Sequence, residues 1–157
     1  ILGLVEGWVE DDPQAAEAYL KSLSPDKLPD RMMAFFWFHH AEADPTAALE
    51  TALQVTAPDE QATALRAIVQ QIAHNGDPSI AFPYFENLEP SIDRDRYLAP
   101  LLRSLAKNHP DEAFTKALQS SAKTLQQNVL PGIVQNWAEK DPQASLEGLL
   151  NLPAEIR

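Results

Sequence analysis

Apolar residues recur along this chain at the spacing of one face of an α-helix. Between residues 65 and 73 they are Leu65, Ile68, Val69, Ile72 and Ala73. This i, i+3, i+4, i+7, i+8 spacing is typical of an amphipathic helix. Four further segments repeat it: Ile1, Leu4, Val5, Trp8, Val9; Met33, Phe36, Trp37, His40, Ala41; Leu98, Leu101, Leu102, Leu105, Ala106; and Leu130, Ile133, Val134, Trp137, Ala138. The pattern predicts five helices, here called first helices, at roughly 1–10, 30–42, 60–74, 92–107 and 124–139. Alternating patterns of useful length are absent from the sequence, so no sheet is predicted.

A residue pair ending in proline follows each first helix. The prolines lie 32 or 33 residues apart, at Pro13, Pro45, Pro78, Pro110 and Pro142. Aspartate precedes each of them except at His109, and a short polar side chain there accepts hydrogen bonds from the free amides of a following helix. Proline fits the first helical position and disfavours a helical conformation in the residue before it. The pairs therefore predict second helices at roughly 13–23, 45–56, 78–88, 110–121 and 142–152, with a capping box between His109 and Glu112.

The near-constant period indicates a tandem array of helical hairpins. The third residue after each proline is small in every copy: Ala16, Ala48, Ala81, Ala113 and Ser145. Neither helix of a hairpin can bury its apolar stripe alone, so the hairpins must stack on their neighbours. We predict an all-α fold of about five hairpins in a single domain over residues 1–157, with Trp8 and Trp137 largely buried between hairpins.

Two prolines lie inside the segments predicted to be first helices. They are Pro100 and Pro131. Proline inside a helix removes one backbone hydrogen bond, and its ring clashes with the preceding turn. We therefore expect these two helices to begin late, near Leu98 and Val129, or to kink.

Both ends of the chain have the features of a cut through the array. The chain starts inside an apolar helical segment, and Leu152-Pro153 near its end resembles the linker Leu28-Pro29. We interpret the chain as a segment of a longer protein. A cut array exposes apolar faces that a further repeat would cover, which would allow end-to-end self-association. The residues expected to be partly exposed are Leu149, Leu152 and Ile156 at one end and Ile1 and Leu4 at the other.

Composition narrows the classes of partner. The net charge of −11 argues against binding nucleic acid or anionic membranes through bulk electrostatics. The sequence has no cysteine, which excludes disulfides and thiolate metal sites. Its apolar runs are all shorter than the roughly 18 residues of a membrane span, so we predict no membrane insertion.

The phrase from Trp137 to Ala144, with a close copy from Trp8 to Ala15, resembles bacterial tandem α-helical hairpin repeats of the Trp-Ala-x-x-Asp-Pro type. In a general way the chain is also similar to tetratricopeptide and HEAT-like repeats, although its period is shorter than the 34 residues of a tetratricopeptide repeat. The resemblance covers essentially the whole chain. It implies an open right-handed α-solenoid that binds proteins or peptides and carries no catalytic residues. We expect a binding or scaffolding module without a cofactor.

Signatures of catalysis are weak in this sequence. It has no Gly-x-Ser-x-Gly and no glycine-rich phosphate loop. His39 and His40 are adjacent and so point in different directions on a helix, which makes a shared metal site unfavourable, and His40 falls in the apolar column of Trp8 and Trp137. We predict no catalytic residue and no metal. The enzyme alternative is part of an α/α-type carbohydrate-active enzyme, or its accessory helical domain.

One repeat breaks the pattern on the outward face of its first helix. Phe35 and Phe38 occupy positions that hold glycine, alanine, proline, or polar residues in the other repeats. Helix geometry places Phe35, Phe38 and Glu42 on one line, with His39 beside them. One possibility is that an adjoining part of the longer protein, or a second helix of a neighbouring repeat, covers these rings. The other is that they form a partner-binding patch, since aromatic residues dominate binding hot spots. The candidate site residues are Phe35, Phe38, His39 and Glu42.

Overall fold

The computed structural model describes residues 7–9, 11–22, 30–86, 92–120 and 122–152. The regular secondary structure of these residues is entirely helical, which confirms the all-α fold class. Contacts between Cα atoms group the chain into two compact units, Ile1–Gly76 and Asp77–Arg157.

In the N-terminal unit the helices follow the predicted hairpins. Residues 7–9 and 11 are helical and precede the first Asp-Pro pair. The next elements are α1 (Pro13–Ser22), α2 (Asp30–Ala43), α3 (Pro45–Leu53) and α4 (Pro58–Asn75). The last helix starts earlier than predicted because Pro58, expected in a linker, takes the first helical position.

A single residue, Asp44, separates α2 from α3. Its amide donates to the His40 carbonyl at 2.9 Å and completes α2. Its carboxylate accepts from the amides of Thr46 and Ala47, both at 3.0 Å, and its own carbonyl accepts from Ala48. One extended residue thus ends one helix and starts the next.

The same junction recurs at the first and last Asp-Pro pairs. Asp12 accepts from the Ala15 amide, and Asp141 accepts from the Ala144 amide, each at 3.0 Å. The amides of both aspartates donate back to the tryptophan carbonyls of the helix before, at Trp8 and Trp137. The prediction that Asp-Pro pairs form the junctions is therefore confirmed at these sites.

The capping box predicted at His109 is wrong. The His109 side chain makes no capping hydrogen bond. Its amide, which Glu112 would have to engage, already donates to the Leu105 carbonyl at 2.8 Å. Completion of the preceding helix therefore removes the donor that a capping box needs.

The C-terminal unit departs from the prediction in its first hairpin. A 3₁₀ turn (Pro78–Ile80) and the one-turn helix α5 (Phe82–Phe85) replace the single helix expected at 78–88, of which residues 87–88 lie outside the described ranges. Pro83 lies at this break, where a continuous helix from Pro78 would lack its amide and would set its ring against Ser79. The later helices are α6 (Ile92–Ala106), α7 (Pro110–Gln119), α8 (Lys123–Lys140) and α9 (Pro142–Leu150).

Pro100 and Pro131 lie inside α6 and α8, which begin at Ile92 and Lys123. The expected late start of these helices is therefore wrong. Each proline leaves the carbonyl four residues earlier without its usual donor, at Arg96 and Gln127. Both helices continue through their prolines despite the missing hydrogen bonds.

The two units repeat one set of helix contacts. In the N-terminal unit α2 packs on α4, and α3 packs on both. In the C-terminal unit α6 packs on α8, and α7 packs on both, while α9 packs on α8. Within each unit, a first helix therefore contacts the next first helix, and a second helix lies against the pair.

The predicted apolar columns form the two cores. The second position of the first-helix pattern is buried in four repeats, at Phe36, Ile68, Leu101 and Ile133. The small residue three positions after each proline is buried in all five, at Ala16, Ala48, Ala81, Ala113 and Ser145. The expected burial of Trp8 is wrong, because its ring rests at 5.2 Å on Tyr19, which is itself exposed. Trp137 is half-buried.

The apolar residues expected to be exposed at the ends are partly described. Leu149 and Leu152 are half-buried, whereas Ile1, Leu4 and Ile156 lie outside the described residues. None of the described helices is both long and apolar enough to cross a lipid bilayer.

Candidate functional site

Helix α2 carries aromatic side chains on two sides. Phe36 and Trp37 are fully buried in the N-terminal core. Phe35 and Phe38 are half-buried, as expected for residues that lie away from the packed stripe. The structure therefore separates core rings from surface rings within one run of four aromatics.

His39 brings the four candidate residues into contact. Its Nδ1 atom lies 2.9 Å from Oε2 of Glu42. Its imidazole lies 4.2 Å from the Phe35 ring, at 58°, and 5.6 Å from the Phe38 ring, at 74°. These residues, Phe35, Phe38, His39 and Glu42, form one cluster, here called the Phe35 patch.

The chemistry of the Phe35 patch suits recognition of a side chain. The two phenylalanine rings offer apolar surface, and the exposed Glu42 adds a carboxylate beside them. When Nδ1 of a neutral His39 donates to Glu42, Nε2 becomes an acceptor. The patch can thus accept an apolar group that carries a nearby cation or hydrogen-bond donor.

His40, the next residue, belongs to the core instead. It is buried, with its ring 5.6 Å from Phe36 and 5.9 Å from Trp37 in a stacked arrangement. Among the described residues, no hydrogen-bond partner reaches its buried Nδ1 atom. Burial lowers the pKa of His40 below its usual value, although the carboxylates of Glu17 and Asp44 partly oppose this. The predicted core position of His40 is confirmed.

The lowered pKa of His40 makes the stability of the N-terminal unit depend on pH. In the unfolded chain this histidine titrates near its ordinary pKa of about 6.5. Below that pH the unfolded state binds a proton that the folded state does not, so stability falls until the pH reaches the folded pKa. We expect the Tm to drop as the pH falls below about 6.5. The drop should be smaller in His40→Leu, which introduces the residue that another repeat has at this position, Leu105.

The control for this pH dependence is His74→Leu, which removes an exposed histidine of the same unit. Thermal melts monitored by circular dichroism across this pH range provide the measurement. A His40→Leu variant with the same pH dependence as the wild type would contradict the assignment.

The C-terminal unit holds a cleft that the sequence did not reveal. Its volume is about 270 Å³, and Phe82, Glu86, Arg94, Lys116 and Ser120 are among its lining residues. Nζ of Lys116 lies 2.9 Å from Glu86 and 4.6 Å from the centre of the Phe82 ring, and Arg94 donates to the Ser120 hydroxyl at 3.3 Å. The cleft is slightly smaller than usual ligand pockets, and its lysine is already paired.

One signal in the sequence could have indicated this cleft. Arg94 occupies the repeat position that holds Gln61 and Gln126. Both glutamines donate to two carbonyls at the end of the preceding second helix and its linker. Two other repeats have a glutamine that binds the linker at this position. The arginine here therefore marks the repeat that differs from them and lines the cleft.

The described residues contain no group of three or more histidine, aspartate or glutamate side chains that could hold a metal ion. Comparison with protein-family models, with curated proteins and with solved structures finds no match to this chain.

Proposed function

We propose that this chain is a protein- or peptide-binding module, built as an open right-handed α-solenoid of five helical hairpins. Two observations support the solenoid: the 32- or 33-residue period of the X-Pro pairs and the same set of helix contacts in each unit. Repeat arrays of this kind present extended surfaces on which partners bind.

The Phe35 patch carries the binding proposal. It is the place where one repeat puts two phenylalanines on a face that is small or polar in the other repeats. The rings are held against His39, and His39 against Glu42, so little side-chain freedom remains to be lost on binding. Fully burying an exposed phenylalanine contributes about 1.5–3 kcal/mol, and the half-buried rings of the patch retain part of that.

The partner expected at the Phe35 patch is a peptide segment with an apolar anchor next to a lysine or arginine. The apolar anchor would cover the two rings, and the cation would pair with Glu42. The acidic chain as a whole, with a net charge of −11, favours the approach of a basic segment.

A double variant, Phe35→Ala/Phe38→Ala, tests the proposal. Peptides selected from a random displayed library on the wild-type chain are expected to bind the variant at least about tenfold more weakly, which is about 1.4 kcal/mol. The Tm should change little, because neither ring is fully buried. The matched control is Leu53→Ala, at an exposed leucine of the same unit.

Two outcomes would contradict this account of the patch. A large drop in the Tm of the double variant would show that the rings belong to the core. The Phe35 patch would be excluded as a binding site if the selected peptides bound the variant as tightly as the wild type. It would also be excluded if the wild-type chain selected no peptide.

A further inference from the structure

The last hairpin exposes a leucine at a position where three other repeats bury an apolar side chain. The fourth residue after the proline is fully buried at Leu49 and Phe82, and Phe114 is only 5 % exposed. Leu146, at the same position, is 57 % exposed, and Leu150, one turn later on α9, is 61 % exposed. Both leucines therefore lie exposed on one face of α9. The departure from the other repeats is at Leu146, because Leu53, at the repeat position of Leu150, is also exposed, at 37 %.

The preceding hairpin shows what covers this position. Phe114 packs at 5.3 Å against Trp137, which belongs to the first helix of the following repeat. Trp137 also lies against its own second helix, where a Cβ atom on Gly148 would come within 2.7 Å of the ring. The cover expected for Leu146 is therefore the side chain at the Trp137 position of a first helix that packs next to it.

The chain contains a second tryptophan of this kind. Trp8 precedes Asp12-Pro13 as Trp137 precedes Asp141-Pro142. Its ring rests on Tyr19, which occupies the repeat position of Gly148. Trp8 is 36 % exposed.

We propose that two copies of this chain associate head to tail, with the Leu146/Leu150 face of one copy covered by Trp8 of the next. The contact would reproduce between chains the one that Phe114 and Trp137 make within a chain. This interface joins two different surfaces, the Leu146/Leu150 face of one copy and the Trp8 end of the next. Each dimer therefore still has one surface of each kind available. Association continues beyond two copies unless the copies close into a ring. The proposal rests on the stacking of hairpins but not on the Phe35 patch.

Charge sets the conditions under which this association is visible. Each copy carries a net charge of −11, so two copies repel each other at low ionic strength. Salt screens that repulsion with a Debye length of about 10 Å at 0.1 M and about 3 Å at 1 M, while apolar contact is retained. We therefore expect the association to strengthen as the salt concentration rises.

Sedimentation equilibrium over a range of protein and salt concentrations tests the proposal. The average mass of the wild type is expected to rise above that of the 17.4 kDa monomer. The tail variant Leu146→Gln/Leu150→Gln and the head variant Trp8→Gln keep the net charge, and each should remain monomeric alone. Mixed together, they should form dimers and nothing larger, since each supplies the one intact face that the other lacks.

Controls separate this result from misfolding and from the function of the Phe35 patch. Leu53→Gln changes an exposed leucine at the repeat position of Leu150 and should associate like the wild type, as should Phe35→Ala/Phe38→Ala. Circular dichroism melts verify that each variant is folded. A wild type that stays monomeric at all concentrations would overturn the proposal and leave this face to a different occupant. Tail and head variants that associate normally, or that do not pair on mixing, would also overturn it.

Discussion

Replacing Trp37 with alanine is expected to lower the free energy of unfolding by about 3–5 kcal/mol. Trp37 is the largest fully buried side chain among the described residues. Its ring packs edge-on against Phe36 at 5.0 Å and stacks with His40 at 5.9 Å. Truncation would remove the apolar surface that these rings share and leave a cavity in a helix that packs on both α3 and α4.

Urea denaturation of the wild type and of Trp37→Ala provides the measurement. The loss would be a large share of the roughly 5–15 kcal/mol that stabilises a typical domain. The matched control is Phe38→Ala, at the next residue, which is half-buried and should cost clearly less. Equal losses in the two variants would show that the core and patch sides of α2 have been assigned wrongly.

The helices and the junctions between them were largely predictable because two independent local signals agree. The apolar spacing places the buried faces of the helices, and the X-Pro pairs place their ends. Buried Phe36, Ile68, Leu101 and Ile133 occupy one predicted column, and Asp44 and similar aspartates cap as expected. Such agreement between levels is what makes a sequence specify one structure.

The failures have local physical causes. The helix expected at 78–88 is split next to Pro83, which is visible in the sequence but lies within a segment whose other residues fit a helix. The capping box at His109 fails because two helices compete for one amide, and the preceding helix takes it. Continuous helices at Pro100 and Pro131 show that an interior proline does not by itself end a helix in this chain.

The candidate sites were predictable to different degrees. The Phe35 patch follows from a break in a repeat column, and helix geometry alone placed His39 beside the rings. The exposed face of α9 was expected at Leu149 and Leu152, but the structure exposes Leu146 and Leu150 more strongly. Which side of a second helix is covered depends on the following first helix, and single-helix periodicity does not specify that neighbour.

The proposed array repeats one hairpin unit, and each unit depends on its immediate neighbours. Deletion of residues 110–141 removes one full period and joins His109 directly to Pro142. Helix α9 would then follow α6 and pack on it as it packs on α8 in the intact chain. Leu105 would occupy the position of Trp137 opposite Gly148, and a smaller side chain fits there without a clash.

Thermal unfolding of this deletion, followed by circular dichroism, is the most direct test. A matched control removes residues 110–125, half a period, and places two first helices in succession with no second helix between them. We predict that the full-period deletion keeps its helicity per residue and a cooperative transition, because nearest-neighbour stacking is preserved. The half-period deletion should lose the cooperative transition of the C-terminal unit. Equal damage from the two deletions, or equal tolerance of both, would contradict the repeat architecture.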